Sequence, residues 1–233
     1  VKELGLSLKN VDREEIELEI ELEEERHEKK SPLPPYTTDT MLKDANAILK
    51  MDANETMKIA QTLFENGLIT YHRTDSTRVS EAGLKIAREY LKENLITRWT
   101  RGGGAHECIR PTRPWPRNMV AKLIEEGVIF AESIERKHLA LYDLIFRRFM
   151  ASMAPPYDVV IRVYRIRYNG MEEHDERIIN ASGISYELYK SVLVKRELPI
   201  GKMKARVEII DVPKVPLYTQ SDLVSKIKEN GIG

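Results

Sequence analysis

The 233-residue chain carries 37 Lys/Arg against 37 Asp/Glu, so its net charge is zero and no global basic field draws nucleic acid to it. Its one cysteine, Cys108, excludes an intrachain disulfide and a cysteine-based zinc site. No run approaches the roughly 18 apolar residues of a membrane span and the N-terminus has no signal-peptide pattern, so a cytoplasmic protein without a membrane partner is expected.

The zero average hides an asymmetry. Residues 1–30 hold six basic and eleven acidic residues, whereas residues 71–113 hold nine Lys/Arg and five acids. The positive charge is therefore local, and it begins at Tyr71. Glutamine occurs only as Gln61 and Gln220, and 32% of residues are charged, a composition that suits a thermophile.

In chain order, "EEIELEIELEEE" sets Ile16, Leu18, Ile20 and Leu22 at period two with glutamates between, which predicts a strand with one buried and one charged face. Lys or Arg on neighbouring strands is needed to offset the glutamates. Pro32, Pro34 and Pro35 then place a boundary at Ser31–Tyr36.

Helical spacing follows. Met41, Ala45, Ile48 and Leu49 mark one helix. Asn54 is the expected N-cap of a second, with Met57, Ala60, Leu63 and Phe64 on its apolar face and Gly67 at C′. Ser80 caps a third through about Leu91, with Leu84, Ala87 and Leu91 inward. Helices from about Asn118 to Glu126 and from Arg136 to Met153 complete the set.

After "APPY" (Ala154–Tyr157) the period returns to two. "DVVIRVYRIRY" alternates Val160, Arg162, Tyr164, Ile166 and Tyr168 against Ile161, Val163, Arg165 and Arg167, and Lys204–Val212 reads the same way. "SDLVSKIKENGIG" is a capped helix at the end. The fold class is α+β, with a strand-rich domain in two parts, residues 1–35 and 155–233, interrupted by a mainly helical domain at 36–154.

Chemistry concentrates in "GLITYHRTDSTRVS" (Gly67–Ser80). A phenol has a reference pKa near 10 and is a weak nucleophile at neutral pH; cationic neighbours favour its phenolate and neutralise an incoming phosphodiester. Arg73 and Arg78 suit that work, because arginine binds two phosphate oxygens at once. Thr74, Ser76 and Thr77 add neutral donors, and Asp75 orients Arg73 or caps a turn. Residue types alone leave two readings open: Tyr71 as a packing residue that closes a strand, or as a nucleophile. A second cluster, "RGGGAHECIRPTRP" (Arg101–Pro114), combines a glycine run with His106, Arg110, Thr112 and Arg113, either as a phosphate-binding loop or as a flexible connection.

Together, "GLITYHRTDS" and "GAHECIRPT" resemble the paired signature blocks of the type IA DNA topoisomerases. "PPYTTDTMLKDAN", "ALYDLIFRRFMASM" and "LYTQSDLVSKIKENGIG" resemble further family segments in the same order. His72, the continuation "STRVS" and the composition look most like the topoisomerase module of reverse gyrase. Cys108 in "AHEC" departs from the family's usual alanine.

The resemblance implies that Tyr71 attacks a phosphodiester of single-stranded DNA and forms a 5′-phosphotyrosyl bond, with Arg73 stabilising charge on the scissile phosphate. It implies DNA contacts by His106, Arg110, Arg78 and Thr112, with Asp75 less direct. It implies a winged-helix or catabolite-activator-like tyrosine domain carried by a strand-rich arch that opens for strand passage. Partners would be single-stranded and unwound duplex DNA and the remaining domains of a longer protein. Mg2+ would be bound by a TOPRIM-type domain, and ATP would serve only a helicase-like module. Asp39, Asp44 and Asp52 are scattered and read as solvated helix residues rather than a magnesium site. The chain reads as an excised segment that binds single-stranded DNA weakly and cleaves inefficiently alone. The alternative is a non-catalytic winged-helix module that binds single-stranded DNA through the same basic cluster.

Overall fold

The alternation at Ile16–Leu22 does form a strand, and it runs farther than its apolar pattern: β1 spans Glu15–Lys30 in the computed structural model, which describes residues 4–101, 106–129, 131 and 133–208. The helices follow as α1 (Thr38–Asp44), continued by a π-helical turn at Ala45–Leu49, α2 (Ala53–Glu65), α3 (Glu81–Leu91), α4 (Arg117–Glu125) and α5 (Arg136–Ser152). Then come β2 (Tyr157–Tyr168), β3 (Met171–Ser182), the short α6 (Ile184–Leu188) and β4 (Gly201–Arg206). The protein is thus a mixture of helices and an antiparallel sheet with strand order β3-β2-β1-β4. β4 begins three residues before the strand expected at Lys204–Val212 and ends at Arg206, with Val207 and Glu208 outside it; the expected remainder to Val212 and the C-terminal helix expected at "SDLVSKIKENGIG" lie outside the described residues.

Residues 4–31, 156–186 and 190–208 cluster as one unit, residues 32–155 and 187–189 as another. In the sheet unit, β1 meets β2 in a register that sets Glu19 opposite Arg167, Glu21 opposite Arg165 and Glu25 opposite Arg162. Arg167 also bonds Glu172 on β3 at 3.0 Å, and Arg162 bonds Glu25 at 2.7 Å. The glutamate face of β1 is therefore offset by arginines on β2, as its charge requires.

The expected alternation of β2 holds, but its buried side changes along the strand. Tyr157, Val159 and Ile161 are buried and pack as one cluster. Tyr164, Ile166 and Tyr168 are buried in another, with Ile16, Leu18, Ile20 and Leu198. β2 itself skips no residue in either ladder, so Arg162 stays on the face of Tyr164, Ile166 and Tyr168, opposite Arg165 and Arg167; what changes between Ile161 and Tyr164 is which face is buried. The sequence reading also missed β3. Its local signal is Asn169-Gly170, at φ 49° and 74°, which fits the two-residue hairpin turn that needs positive φ at both positions.

In the helical unit, α5 is central, burying Leu141, Ile145, Phe146 and Phe149 against α2, α3 and α4. Each such side chain taken from water contributes about 1.5–3 kcal/mol. Two expectations change here. Asp52, not Asn54, caps α2, its carboxylate accepting from the Glu55 amide at 2.8 Å. The face buried against α5 is Thr56, Ile59, Ala60 and Leu63, turned by one residue from the expected stripe, and Phe64 emerges at 37% exposure. Asp44 is not a solvated helix residue either. It accepts from Tyr36 Oη at 2.7 Å, from Tyr189 Oη, and from Arg148 Nη1 at 3.1 Å.

Candidate active site

The site is assembled where α2 stops. Gly67, at φ +68°, supplies the left-handed residue after the Asn66 cap; its amide bonds Phe64 O and the Leu68 amide bonds Leu63 O, the paired bonds that close a helix end. The chain leaves this turn through Leu68, Ile69 and Thr70, where Ile69 bridges to Pro111 and the buried Leu68 and Ile69 anchor it. Tyr71 follows, 48% exposed. Its ring meets Phe64 edge-on at 5.3 Å and His72 at 5.5 Å.

The second sequence cluster lies alongside. The Thr70 amide donates to Arg110 O at 2.9 Å, the Thr70 hydroxyl donates to Cys108 O at 2.8 Å, and the Arg110 amide donates back to Thr70 Oγ1 at 3.0 Å. The Thr112 amide reaches Leu68 O at 3.1 Å, and the Thr112 hydroxyl donates to Gly67 O at 2.5 Å. The two clusters, more than thirty residues apart in sequence, are joined through the residue that precedes Tyr71.

A third strip, from the "PPYTT" segment, holds the far side. The Thr38 hydroxyl donates to His72 O at 2.8 Å, and the Thr38 amide donates to Thr74 O at 2.9 Å. Beyond it the chain turns on its own hydroxyls: Thr74 Oγ1 accepts from the Ser76 amide and Ser76 Oγ from the Arg78 amide, each at 3.1 Å. As acceptors in these turns, both hydroxyls keep their own protons for another partner.

The other expected site residues fall into two groups. Arg73, Asp75 and His106 are exposed, and neither Arg73 nor Asp75 has a hydrogen-bond or ion-pair partner among the described residues. Arg78 is half-buried, and its Nε donates to His106 O at 3.2 Å. Arg110 differs from all of these. It is 5% exposed, with Nε and Nη2 on the two Glu107 carboxylate oxygens at 2.8 and 2.9 Å, and Nη1 on Pro111 O at 3.0 Å.

Two further residues escaped the sequence reading, and a third, His72, was read only as part of the resemblance. Thr70 carries the bridge between clusters, and only its place before the tyrosine hints at it. Glu107 holds Arg110 from within the same motif. Burial pushes its carboxyl pKa up, but the hydrogen bonds from Arg110 and Ser80 with the Arg110 charge outweigh that, leaving it below the usual range. His72 is fully buried, and both ring nitrogens lack a partner. Burial, and next the Arg73 charge, push its pKa below the ordinary histidine value, against a smaller opposite pull from Glu65, so it is neutral at pH 7.

Among the described residues no three His, Cys, Asp or Glu gather in a group that could hold a metal ion. None of their helices is long and apolar enough to cross a membrane.

A family model described as DNA topoisomerase matches residues 4–233. Reverse gyrase 1 of Aeropyrum pernix is 44% identical over 227 residues, covering 87% of this chain and 16% of its own length. Reverse gyrase 1 of Aquifex aeolicus is 41% identical over 241 residues, covering 100% of this chain and 20% of its own. The full-length topoisomerase I structure from Thermotoga maritima superposes with a TM-score of 0.65 at 26% identity, over 94% of this chain and 38% of that one. The chain therefore spans only 16% to 20% of the length of these two curated relatives. With the fold, the paired motifs and the family match in agreement, the chain belongs to the type IA DNA topoisomerases, with reverse gyrases among its relatives.

Proposed function

We propose that this chain supplies the strand-cleaving tyrosine of a reverse gyrase-like type IA topoisomerase. The observation that carries the reading is the half-exposed Tyr71, at 48%, beside an exposed Arg73 that has no partner among the described residues. An arginine without a structural partner in a family site is available to a phosphate.

In the proposed step, Tyr71 Oη bonds to the phosphorus of a single-stranded DNA phosphodiester as the bond from phosphorus to the 3′ oxygen breaks. The phenol loses its proton and the departing 3′ oxygen gains one, leaving a 5′-phosphotyrosyl link and a free 3′-hydroxyl. Arg73 stabilises charge on the non-bridging oxygens. His106, Arg78 and Thr112 flank the strand, whereas the exposed Asp75, with no hydrogen-bond or ion-pair partner among the described residues, does not orient Arg73 as expected. One phosphoester replaces another, so religation is the same step reversed and needs no ATP.

In this reading the helical unit is a winged-helix-like tyrosine domain, and the strand-rich unit is part of an arch that opens as a gate. Mg2+ would be held by a TOPRIM-type domain rather than by residues of this chain, and would supply charge neutralisation. ATP serves a separate helicase-like module. Binding follows phosphates rather than base edges, so it weakens with salt and has little sequence preference. The chain by itself binds single-stranded DNA weakly and cleaves poorly.

Covalent trapping tests the proposal. Residues 1–233 replace the matching segment of the Aquifex aeolicus reverse gyrase 1, and the chimera meets end-labelled single-stranded DNA and magnesium before denaturation. A 5′-linked adduct that disappears in Tyr71→Phe is expected. An adduct that survives Tyr71→Phe, or none where DNA is bound, overturns the proposal and leaves the non-catalytic DNA-binding module.

A further inference from the structure

Arg110 sits in a motif that invites assignment as a DNA contact, yet its surroundings leave it no free face. Its Nε and Nη2 form a fork on Glu107, and Nη1 caps Pro111 O. Nη2 also lies 3.3 Å from Ser80 Oγ, and the Ser80 hydroxyl donates to Glu107 Oε2 at 2.6 Å. Ser80 is at the same time the N-cap of α3, accepting from the Gly83 amide at 3.3 Å. The guanidinium is therefore tied to the start of α3 and to its own loop.

Room for it is provided by Gly83 in the first turn of α3. A Cβ there would lie 2.8 Å from Arg110 Nε, 2.9 Å from its Cδ and 2.9 Å from Val79 Cγ1. The Arg110 backbone meanwhile carries the two-way bridge to Thr70, one residue before Tyr71. One residue thus connects the cap of α3 on its side-chain end with the segment that presents the phenol on its main-chain end.

We infer that Arg110, clasped by Glu107 and Ser80 in the space left by Gly83, is a positioning residue that fixes the Tyr71 segment against the His106–Thr112 loop and does not itself touch DNA. The inference rests on the proposed role of Tyr71 for its catalytic consequence, but not for its structural one. Breaking the fork lets the 106–112 loop drift from Thr70, and misplacement of a reacting group by about 1 Å can cost a factor of about 100 in rate. DNA affinity is untouched, because no phosphate contact is lost.

Three variants test this: Arg110→Gln, Arg110→Lys and Glu107→Gln. In the 233-residue chain, binding of a single-stranded oligonucleotide is measured across a salt series, and exchange of backbone amide hydrogens is followed residue by residue. In the chimera, adduct formation is measured at saturating DNA. All three variants are expected to lose exchange protection at Thr70, Arg110 and Thr112 while α5 stays protected. Their affinities should stay within about twofold with unchanged salt slopes, since each phosphate contact to a single strand contributes about 0.7 to that slope. Adduct formation should fall roughly tenfold or more in each.

The opposite pattern overturns the inference. If Arg110→Gln weakens binding and lowers the salt slope by about 0.7, while Arg110→Lys binds normally, Arg110 contacts a phosphate directly. Unchanged amide protection at Thr70 and Thr112 in all three variants would show that the clasp positions nothing. If the parent chimera forms no adduct, the proposed chemistry fails, and the exchange and salt measurements still decide the role of Arg110.

Discussion

Tyr71 and His72 are neighbours in sequence and opposites in environment: the phenol is 48% exposed, the imidazole fully buried, and their rings stand 5.5 Å apart. The chain bends at Thr70 and at His72, so the two rings stay in edge contact while only the phenol reaches solvent. The apolar space under the tyrosine, with Phe64 6.2 Å from the imidazole, holds a ring whose nitrogens find no partner.

Acid should therefore act on this segment through His72. Its folded pKa lies below the ordinary value near 6.5, because the charged form would be buried and close to Arg73. The unfolded state takes up the proton first, so the stabilising effect of a neutral His72 is complete above about pH 6.5 and is lost as pH falls through the folded pKa. Urea unfolding of the chain at pH 7.5 and 5.0 should show a stability loss at the lower pH that shrinks in His72→Phe. Equal losses in both proteins would place the titration elsewhere.

Arg148 should be among the most sensitive positions in the helical unit. Its guanidinium lies between the rings of Tyr36 and Tyr189, 4.8 Å from each centroid, while Nε reaches Pro34 O at 2.7 Å and Nη1 reaches Asp44 at 3.1 Å. Arg148→Ala leaves Asp44 without its cation and two aromatic faces without packing, so a loss of about 3–5 kcal/mol is expected. Arg148→Met should lose less, because it keeps the stem that fills the gap. Chemical denaturation of both variants measures the difference.

Gly83→Ala should destabilise, against the usual gain of about 1 kcal/mol for alanine over glycine inside a helix. The added methyl falls within 2.9 Å of both Arg110 and Val79, and overpacking of this kind costs about 1–3 kcal/mol. A melting temperature equal to or above the parent's would show that the Arg110 side chain yields without cost.

Cys108 should be inert while the protein is folded. It is fully buried, and burial pushes its thiol pKa up to about 12, outweighing the nearby Arg110 charge. A thiol-reactive disulfide reagent at pH 8 should modify it only at the rate of unfolding, and fully in denaturant. Rapid labelling of the native chain would contradict this burial.

Much of this protein could be read from local pattern alone. The glutamate-rich alternation of β1, the Ser80 cap, the Gly67 stop of α2 and the long apolar stripe of α5 each depend on residues a few positions apart, where backbone geometry acts directly. The joined motifs around Tyr71 and His106 also pointed to a family before any coordinates. What local pattern missed was set by long-range packing. Packing against α5 selected Thr56, Ile59, Ala60 and Leu63 as the inward face of α2, and different segments cover the two clusters of β2, so its buried side switches between Ile161 and Tyr164. Neither choice is visible within its own segment.

The sequence by itself determined the family, the helices and the residue types available for phosphate chemistry, because motifs, caps and periodicity are local. Only the tertiary structure decided which of those residues are free to act. Arg73 and Arg110 are the same side chain in two basic motifs, but one is exposed without a partner and the other is enclosed by Glu107, Ser80 and Pro111. A guanidinium with four of its five N–H groups on enclosed acceptors has little to offer a phosphate, and which acceptors reach it depends on chain segments up to thirty residues away.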